Sequence, residues 1–336
     1  MQYFQPREVS ATRVEDASHI GEVRRRARNL ALLAGFDETR IAHAAILATE
    51  ISTNVLKHGG GGQIWVQAWC DHEGPAVEIV AVDRGPGMSD IDACMQDGFS
   101  TAATSGNGLG AVKRLATFWD IYSAAGRGVA LVARIGAEGA EHLHSEARTA
   151  GVQSPKPGET VCGDAWTAID TGDRVVVVVA DGLGHGPDAA RASQAAMESA
   201  HKYMDARPKE MVEAMNSALR PTRGAAVAVA DCDRRRRIVT FAGLGNVSGC
   251  VCRSDAPVRH LVSSNGTAGM QPRNIREFQS PWPEGAVVIL HSDGIGTHWD
   301  LNLYPGLLTR DPAVISGVLF RDHCRGADDA TAVASR

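Results

Sequence analysis

Five consecutive valines followed by an alanine, at residues 175–180, constrain the fold of this chain more than any other feature. A continuous apolar run of this length predicts a buried strand, because a half-buried strand would alternate apolar and polar residues. The loop DGLGHG, at residues 181–186, follows the run directly. Helices are predicted next, at residues 188–203 and 209–219, so this part of the chain combines a buried sheet with helices.

The length and the middle of the chain predict two domains. With 336 residues, the chain is long enough for two domains of ordinary size. Residues 136–158 are small, polar and irregular, which predicts a linker. We therefore expect a first domain at residues 1–137, a linker at residues 138–157 and a second domain at residues 158–336.

The composition argues against several classes of protein. Hydrophobic residues make up 44% of the chain and charged residues 22%, which excludes a disordered chain. The net charge of −5 argues against a nucleic-acid-binding protein. The 7 cysteines show no C-x-x-C spacing, so neither a disulfide framework nor a thiolate zinc site is supported. Without a long apolar run or a signal-peptide core, we expect no membrane segment and a cytoplasmic location.

The first half is predicted to contain helices followed by strands. Apolar residues recur every three to four positions in a helix that Asp37 can cap and that runs to about Lys57. Glu50 and Asn54 lie four residues apart on one face of this helix. A carboxylate and an amide placed in this way can share a water molecule or a Mg²⁺ ion. The alternative is a polar edge on an amphipathic helix.

Two glycine-rich segments follow this helix. In the first, Asp83 ends a predicted strand, and Gly85 and Gly87 allow the backbone to approach a flat ligand while the carboxylate accepts a hydrogen bond. The second segment, GNGLG at residues 106–110, leads into a helix, where backbone N–H groups and the helix dipole favour phosphate. A tight turn and a flexible loop are the alternatives for the two segments.

The order and spacing of these elements resemble the GHKL ATPase superfamily over residues 9–135. The runs DGFST at 97–101 and GLGAVKRL at 108–115 are similar to those of RsbT-like switch kinases, which phosphorylate Ser or Thr of STAS-domain proteins. The resemblance implies a GHKL (Bergerat) α/β sandwich that binds Mg·ATP. It further implies that Glu50 orients or deprotonates the attacking hydroxyl, that Asn54 binds Mg²⁺, and that Asp83 contacts the adenine amino group. The other implied nucleotide-binding residues are Gly85, Gly87, Gly106, Gly108, Leu109 and Gly110.

Aspartates stand at predicted strand ends throughout the second half. They are Asp164, Asp181, Asp293 and Asp328. An ordinary turn is the alternative for any one of them. Acids at strand ends can converge at one edge of a sheet sandwich, where carboxylates and carbonyl oxygens suit Mg²⁺ or Mn²⁺. Two such ions can activate a water molecule and hold a phosphate.

The order of these acids resembles the PPM (protein phosphatase 2C) superfamily, in its SpoIIE-like branch, over residues 158–336. The segments at 181–186, 222–226 and 241–246 are most similar to RsbX-like phosphatases. The resemblance implies an α-β-β-α sandwich with two Mn²⁺ or Mg²⁺ ions, bridged by Asp181 and joined by the Gly182 carbonyl. Asp164, Asp293 and Asp328 complete the implied ligand set. Asp329 is a weaker candidate, because it should alternate away from Asp328 on an extended segment.

Together the two resemblances predict an α+β protein that is a bifunctional regulator of partner switching. It would phosphorylate a STAS-domain protein with Mg·ATP and dephosphorylate the same or a related protein. One alternative is a phosphatase whose GHKL domain only binds a nucleotide or a partner, and another is a phosphatase with a degenerate appendage. We expect no nucleic-acid or membrane partner, and a homo-oligomer is compatible with the sequence.

Overall fold

The computed structural model describes residues 2–4, 11–71, 74–94, 108–136, 149–270 and 274–336. The chain forms two compact units. Pro6–Ala147 make up the N-terminal unit, and Met1–Gln5 together with Arg148–Arg336 make up the C-terminal unit. Helices and antiparallel sheets occur in both units, which confirms the predicted α+β class.

The elements are numbered along the chain. The strands are β1 Gln2–Phe4, β2 Ala11–Val14, β3 Gly62–Asp71, β4 Gly74–Asp83, β5 Phe118–Ser123, β6 Val129–Gly136, β7 Thr149–Ser154, β8 Asp164–Asp170, β9 Arg174–Gly182, β10 Ala225–Asp233, β11 Ile238–Leu244, β12 Ser248–Arg253, β13 Ala256–Leu261, β14 Glu277–Pro281, β15 Val287–His291 and β16 Ala330–Ser335. The α-helices are α1 Ala17–Leu33, α2 Glu38–Lys57, α3 Ile91–Cys94, α4 Gly108–Leu115, α5 Pro187–Lys202, α6 Pro208–Ala218 and α7 Pro312–His323.

The N-terminal unit is a two-layer sandwich of helices and sheet. Its five-stranded antiparallel sheet has the order β2-β3-β4-β6-β5. Helices α1 and α2 pack against one face of this sheet, and α4 packs against α2. Asp37 caps α2, as predicted, because its side chain accepts a hydrogen bond from the Arg40 backbone N–H at 2.7 Å. Leu47, Ile51 and Val55 are buried at helical spacing and contribute to the core.

A buried polar row crosses this sheet. Gln67 on β3, Glu78 on β4 and Arg134 on β6 are cross-strand neighbours. Arg134 Nε donates to Glu78 Oε2 at 2.6 Å, and Gln67 Nε2 donates to Glu78 Oε1 at 2.6 Å. Glu78 is 0% exposed and Arg134 is 1% exposed. The buried carboxylate is therefore matched by a cation and an amide, as a charge in a low-dielectric interior requires.

The C-terminal unit contains two antiparallel sheets and a helical layer on each outer side. The first sheet has the order β1-β8-β9-β10-β11-β14, and the second has the order β13-β12-β15-β16-β7. Helices α5 and α6 pack on the first sheet, and α7 packs on the second. The predicted α-β-β-α sandwich is thus confirmed.

The valine run lies on β9, in the interior of the first sheet. Val176 and Val178 pack in the cluster formed with α5 and α6, while Val177 and Val179 point to the opposite face. All four are at most 1% exposed. Burial on both faces explains why this strand carries no polar alternation.

Some predicted element bounds differ from the structure. The predicted linker at residues 138–157 contains β7, which pairs along its whole length with β16. The residues of β7, TAGVQS, show little apolar periodicity. Only the pairing with the distant strand β16 shows that this segment belongs to a sheet. Helix α1 begins at Ala17, directly after Asp16, whose side chain caps it. Within the described ranges, no helix is long and apolar enough to cross a membrane.

Candidate functional site

The four candidate metal-binding aspartates converge at one edge of the C-terminal unit. Asp164 begins β8 and is the direct cross-strand partner of Asp181 near the end of β9. Asp293 follows β15, and Asp328 precedes β16. The negative charges of Asp164, Asp293 and Asp328 all act on Asp181. The strand ends therefore bring together carboxylates that are far apart in the sequence.

The two paired aspartates are costly to ionise where they lie. Asp164 is 2% exposed, and neither of its carboxylate oxygens is hydrogen-bonded within the described part of the chain. Burial raises the pKa of Asp164 to about 7. Burial and the surrounding carboxylates raise the pKa of Asp181 to about 9. The cluster consequently lacks the positive charge that would balance it.

This donor set fits divalent cations. Carboxylate oxygens are the ligands that Mg²⁺ and Mn²⁺ prefer. The groups that lower the pKa of Asp164 are the neutral hydroxyls of Ser292 and Thr331, which do not balance its charge. Among the described residues, no three acidic, histidine or cysteine side chains already stand as close together as metal ligands do.

Asp329 belongs to this cluster, contrary to the sequence-based expectation. It is 3% exposed, while Asp328 is exposed. The Lys156 backbone N–H donates to Asp329 Oδ1 at 2.9 Å, and Asp329 Oδ2 is buried without a hydrogen-bond partner in the described ranges. The expectation assumed an extended segment, but β16 starts only at Ala330, and the Asp329 N–H donates to Asp328 Oδ1 at 2.9 Å. The two side chains do differ in exposure, but the one buried in the cluster is Asp329.

Glycines allow the acid-bearing loops to approach each other. A Cβ on Gly182 would overlap the backbone carbonyl of Ala189 near the start of α5, and a Cβ on Gly294 would overlap the backbone carbonyl of Asp329. The Gly182 N–H also donates to the Gly163 carbonyl at 3.2 Å. Glycine after Asp181 and after Asp293 is thus a packing requirement of the site as well as a turn feature.

Polar side chains around the cluster orient it. Asn246 Nδ2 donates to Asp293 Oδ2, and His185 Nδ1 lies 2.7 Å from Glu159 Oε1. Sequence reasoning noted Asn246 only as part of a family motif and did not assign it to the site. The sequence signal that could have identified Asn246 is its position directly after Gly245, in the loop that follows β11. In the structure Gly245 has a φ of 101°, which favours glycine at this turn.

The candidate nucleotide site of the N-terminal unit is built around Asp83. This residue ends β4 and is 7% exposed. Its Oδ1 accepts hydrogen bonds from the backbone N–H groups of Gly85 at 2.9 Å and Val129 at 3.3 Å. A Cβ on Gly59 would overlap the Asp83 side chain, and a Cβ on Gly85 would overlap the His58 carbonyl. Backbone groups and close-packed glycines therefore hold this carboxylate in place.

Gly87 and the candidate residues on α2 complete this region. Gly87 has a φ of 70°, and a Cβ there would overlap the Ala124 carbonyl. On α2, the Nδ2 of Asn54 is buried without a hydrogen-bond partner in the described part of the chain, and Glu50 lies one turn earlier. The Asn54 Nδ2 group is a hydrogen-bond donor that an acceptor oxygen of a bound ligand could satisfy, whereas a cation would take the Oδ1 oxygen.

The described part of the phosphate-binding segment begins with α4. Gly108 is its first residue, Leu109 packs against the core, and Gly110 is buried. The contact between α4 and α2 brings this segment to the helix that carries Glu50 and Asn54. Gly106 lies outside the described residues.

Comparison with known families agrees with this architecture. Residues 14–135 match the family described as Histidine kinase-like ATPase domain. Residues 171–298 match the family described as Stage II sporulation protein E (SpoIIE). The first match covers most of the N-terminal sheet with its helices, and the second covers β9 to β15 of the C-terminal unit.

Individual relatives match each half. The chain is 35% identical over 124 residues to the serine/threonine-protein kinase RsbT of Bacillus subtilis (strain 168), covering 37% of this chain and 93% of RsbT. It is 25% identical over 143 residues to the phosphoserine phosphatase RsbX of the same strain, covering 43% of this chain and 72% of RsbX. A solved structure described as "The bacterial stressosome: a modular system that has been adapted to control secondary messenger signaling" is 26% identical, with a TM-score of 0.52, covering 56% of this chain and 98% of that chain.

The fold and the two sites define a protein that joins a HATPase domain to a PP2C-type serine/threonine phosphatase domain. Domains of these two types imply the use of a nucleotide and of divalent metal ions. The chain belongs to the partner-switching regulators of the Rsb and SpoIIE type, as a fusion of an RsbT-like kinase homologue with an RsbX-like phosphatase. The fusion predicted from the sequence is confirmed.

Proposed function

We propose that this chain phosphorylates a Ser or Thr of a STAS-domain protein with ATP and removes phosphate from the same or a related protein. The observation that carries the phosphatase half is the pairing of Asp164 with Asp181 at the centre of a carboxylate cluster that lacks a cation. The kinase half is supported by the identity to RsbT, together with the Asp83 carboxylate that backbone N–H groups hold in place. We place the protein in the cytoplasm, where such partners occur.

In the proposed phosphatase reaction, two Mn²⁺ or Mg²⁺ ions would be held by Asp181, the Gly182 carbonyl, Asp164, Asp293 and Asp328. The ions, when bound, supply an activated water molecule and hold the phosphate oxygens. The water oxygen attacks phosphorus, the bond from phosphorus to the Ser or Thr oxygen breaks, and that oxygen takes up a proton. The aspartates would hold the two metal ions in place. The Asn246 side chain, which donates to Asp293 Oδ2, fixes the orientation of that carboxylate.

In the proposed kinase reaction, the Ser or Thr oxygen of the partner attacks the γ-phosphorus of ATP, and the bond to the β-phosphate oxygen breaks to leave ADP. Glu50 orients the attacking hydroxyl or accepts its proton. Asn54 contributes an oxygen to the Mg²⁺ ion that accompanies ATP, and Asp83 accepts a hydrogen bond from the adenine amino group. The glycine-rich segment at residues 106–110 contacts the phosphates.

We also propose how the two activities are arranged along the chain. The kinase domain spans residues 1–137 and the phosphatase domain spans residues 158–336, with the β7 segment completing the second sheet of the latter. Substrate specificity toward a STAS-domain partner would be shared by both domains. Assembly into a homo-oligomer is compatible with this arrangement.

The test is the intact mass of a purified STAS-domain partner after incubation with Mg·ATP and the Asp181→Asn protein, in which the phosphatase is disabled. We expect the partner to gain one phosphoryl group. Glu50→Gln in the same background should abolish the gain and leave ATP binding intact. Glu22→Gln, which neutralises an exposed carboxylate on α1, is the matched control and should leave the gain unchanged.

Three results would contradict parts of this proposal. Absence of any mass gain, with ATP binding shown by calorimetry, would remove the kinase half and favour a phosphatase regulated by nucleotide or partner binding. Retained Mn²⁺-dependent hydrolysis of a phosphoserine protein by Asp181→Asn would remove the assignment of the metal ligands. Failure to bind ATP would favour a degenerate N-terminal domain.

A further inference from the structure

The carboxylate cluster leaves an electrostatic problem for a phosphorylated substrate. Five aspartates surround the proposed metal positions: Asp164, Asp181, Asp293, Asp328 and Asp329. Two divalent cations carry less positive charge than five ionised carboxylates carry negative charge. A phosphomonoester brings close to two further negative charges at neutral pH. A cationic side chain at the rim would therefore favour its binding.

Arg325 is placed at this rim by backbone pairing. The Arg325 N–H donates to the Gly294 carbonyl at 2.8 Å, and the Gly296 N–H donates to the His323 carbonyl at 2.8 Å. These bonds flank the bridge between Ile295 and Cys324. Arg325 is thereby fixed beside the residue that follows Asp293, and it stands three positions before Asp328.

The guanidinium of Arg325 is available for a ligand. Arg325 is exposed, and its side chain makes no ion pair or hydrogen bond within the described ranges. The positive charge of Arg325 nevertheless acts on Asp293, where it opposes the larger effect of burial, which raises the pKa of that carboxyl. By contrast, Arg223 and Arg191 near the 181–186 loop are both paired with Asp188, at 2.7 Å and 2.9 Å.

We propose that Arg325 binds the phosphate group of the phosphorylated substrate at the metal site of the C-terminal unit. This inference rests on the proposed phosphatase function and adds a phosphate-binding residue that the sequence did not reveal. The guanidinium would donate to phosphate oxygens not held by the metal ions. Its backbone is paired with the residue after Asp293, and its charge already acts on that carboxylate, so a ligand held by Asp293 lies within the range of this charge.

The test is a calorimetric titration of inorganic phosphate into the Mn²⁺-loaded full chain. Charge-assisted hydrogen bonds of this kind contribute enough that Arg325→Gln should weaken phosphate binding roughly 10- to 100-fold. Arg325→Lys should recover part of the affinity, because it restores the charge without the planar fork. The control is Arg235→Gln, which removes an exposed charge just after β10, at the end of that strand that lies far from Asp181. This variant should bind phosphate as the unaltered chain does.

A second measurement separates phosphate binding from a structural role. Mn²⁺ binding to Arg325→Gln should be unchanged or tighter, because a positive charge near Asp293 has been removed. Unaltered phosphate affinity in Arg325→Gln, or a parallel loss of Mn²⁺ affinity, would overturn the inference. Hydrolysis of a phosphoserine protein by the unaltered chain is recorded alongside. Its absence would contradict the proposed phosphatase function, while the phosphate titration still decides the role of Arg325.

Discussion

Two buried carboxylates of this molecule have opposite surroundings. Glu78 in the N-terminal sheet is 0% exposed and is held by Arg134 and Gln67, each at 2.6 Å. Asp164 in the C-terminal unit is 2% exposed, and its two oxygens have no hydrogen-bond partner in the described ranges. A compensated buried charge supports a fold, whereas an uncompensated one identifies a place that a ligand must complete. The comparison separates a structural site from a functional one without reference to any relative.

The largest expected effect comes from removing the uncompensated charge. Asp164→Asn should lower Mn²⁺-dependent hydrolysis of a phosphoserine protein by more than about 100-fold, because a metal ligand matters more than the groups that orient it. The same variant without metal should be at least as stable as the unaltered chain, since a repulsive buried charge has been removed. Steady-state kinetics and urea unfolding measure the two effects. A fall in metal-free stability would show that Asp164 is part of the structural framework.

Removing the cation that compensates Glu78 should have the opposite effect on stability. Arg134→Met leaves Glu78 buried and charged, and we expect the N-terminal unit to lose about 3–5 kcal/mol of its free energy of unfolding. Arg13→Met is the control, because Arg13 pairs with Glu15 at the surface with its side chain 75% exposed, and such pairs contribute about 0–1 kcal/mol. Equal effects of the two changes in urea unfolding would contradict the assigned role of the polar row.

The nucleotide site sharpens the comparison, because its carboxylate is held by backbone groups and not by a cation. Asp83→Asn keeps the shape and one acceptor oxygen, but it places an amide group where the adenine amino group is expected to donate. We expect ATP affinity to fall roughly 10- to 100-fold, with little change in the melting temperature. Calorimetry with ATP measures the affinity, and Asp120→Asn on β5 is the matched control. Unchanged ATP affinity would remove Asp83 from the proposed adenine contact.

A further effect is a pH dependence of the metal-free C-terminal unit. The pKa values of Asp164 and Asp181 are raised to about 7 and about 9, so the folded state retains protons that the unfolded state releases above about 4. The stability contribution of each group is therefore fully present below that unfolded value and is lost as the pH rises through the folded one. The slope is at most about 1.4 kcal/mol per pH unit for each proton.

Urea unfolding in the presence of a metal chelator measures this slope from about pH 5 to about pH 9. The quantity compared is the free energy of unfolding of the unaltered chain minus that of Asp164→Asn. Saturating Mn²⁺ should flatten it, because the bound cation replaces the protons. An increase in stability with pH, in that difference, would contradict the raised pKa values.

Much of the fold could be predicted, because the information was local. The valine run gave the interior strand β9, and Asp37 marked the start of α2. The positions of Asp164 and Asp181 at strand ends were also visible in the sequence. Their direct pairing required the register of β8 against β9, which no short segment specifies.

The features that could not be predicted depend on contacts between distant segments. Glu78 and Arg134 are separated by 56 residues and meet only across the sheet. Asp329 was expected to point away from the site, but the chain bends just before β16 and it is Asp329, not Asp328, that is buried. No sequence pattern marks Arg325 as a site residue, because its position beside the aspartates depends on the bridge that joins Ile295 to Cys324.

The pairing of β7 with β16 has a consequence for how the protein is made. Thr149 and Ser335 are cross-strand partners, with their hydroxyl oxygens 2.7 Å apart and 186 positions apart in the sequence. The second sheet of the C-terminal unit therefore cannot close until residues 330–335 have been synthesised, and such distant contacts form slowly. Asp328 and Asp329 arrive with the same late strand. During translation, a folded N-terminal unit would therefore precede any competent carboxylate cluster, so a newborn chain would acquire its kinase-like half before its phosphatase half.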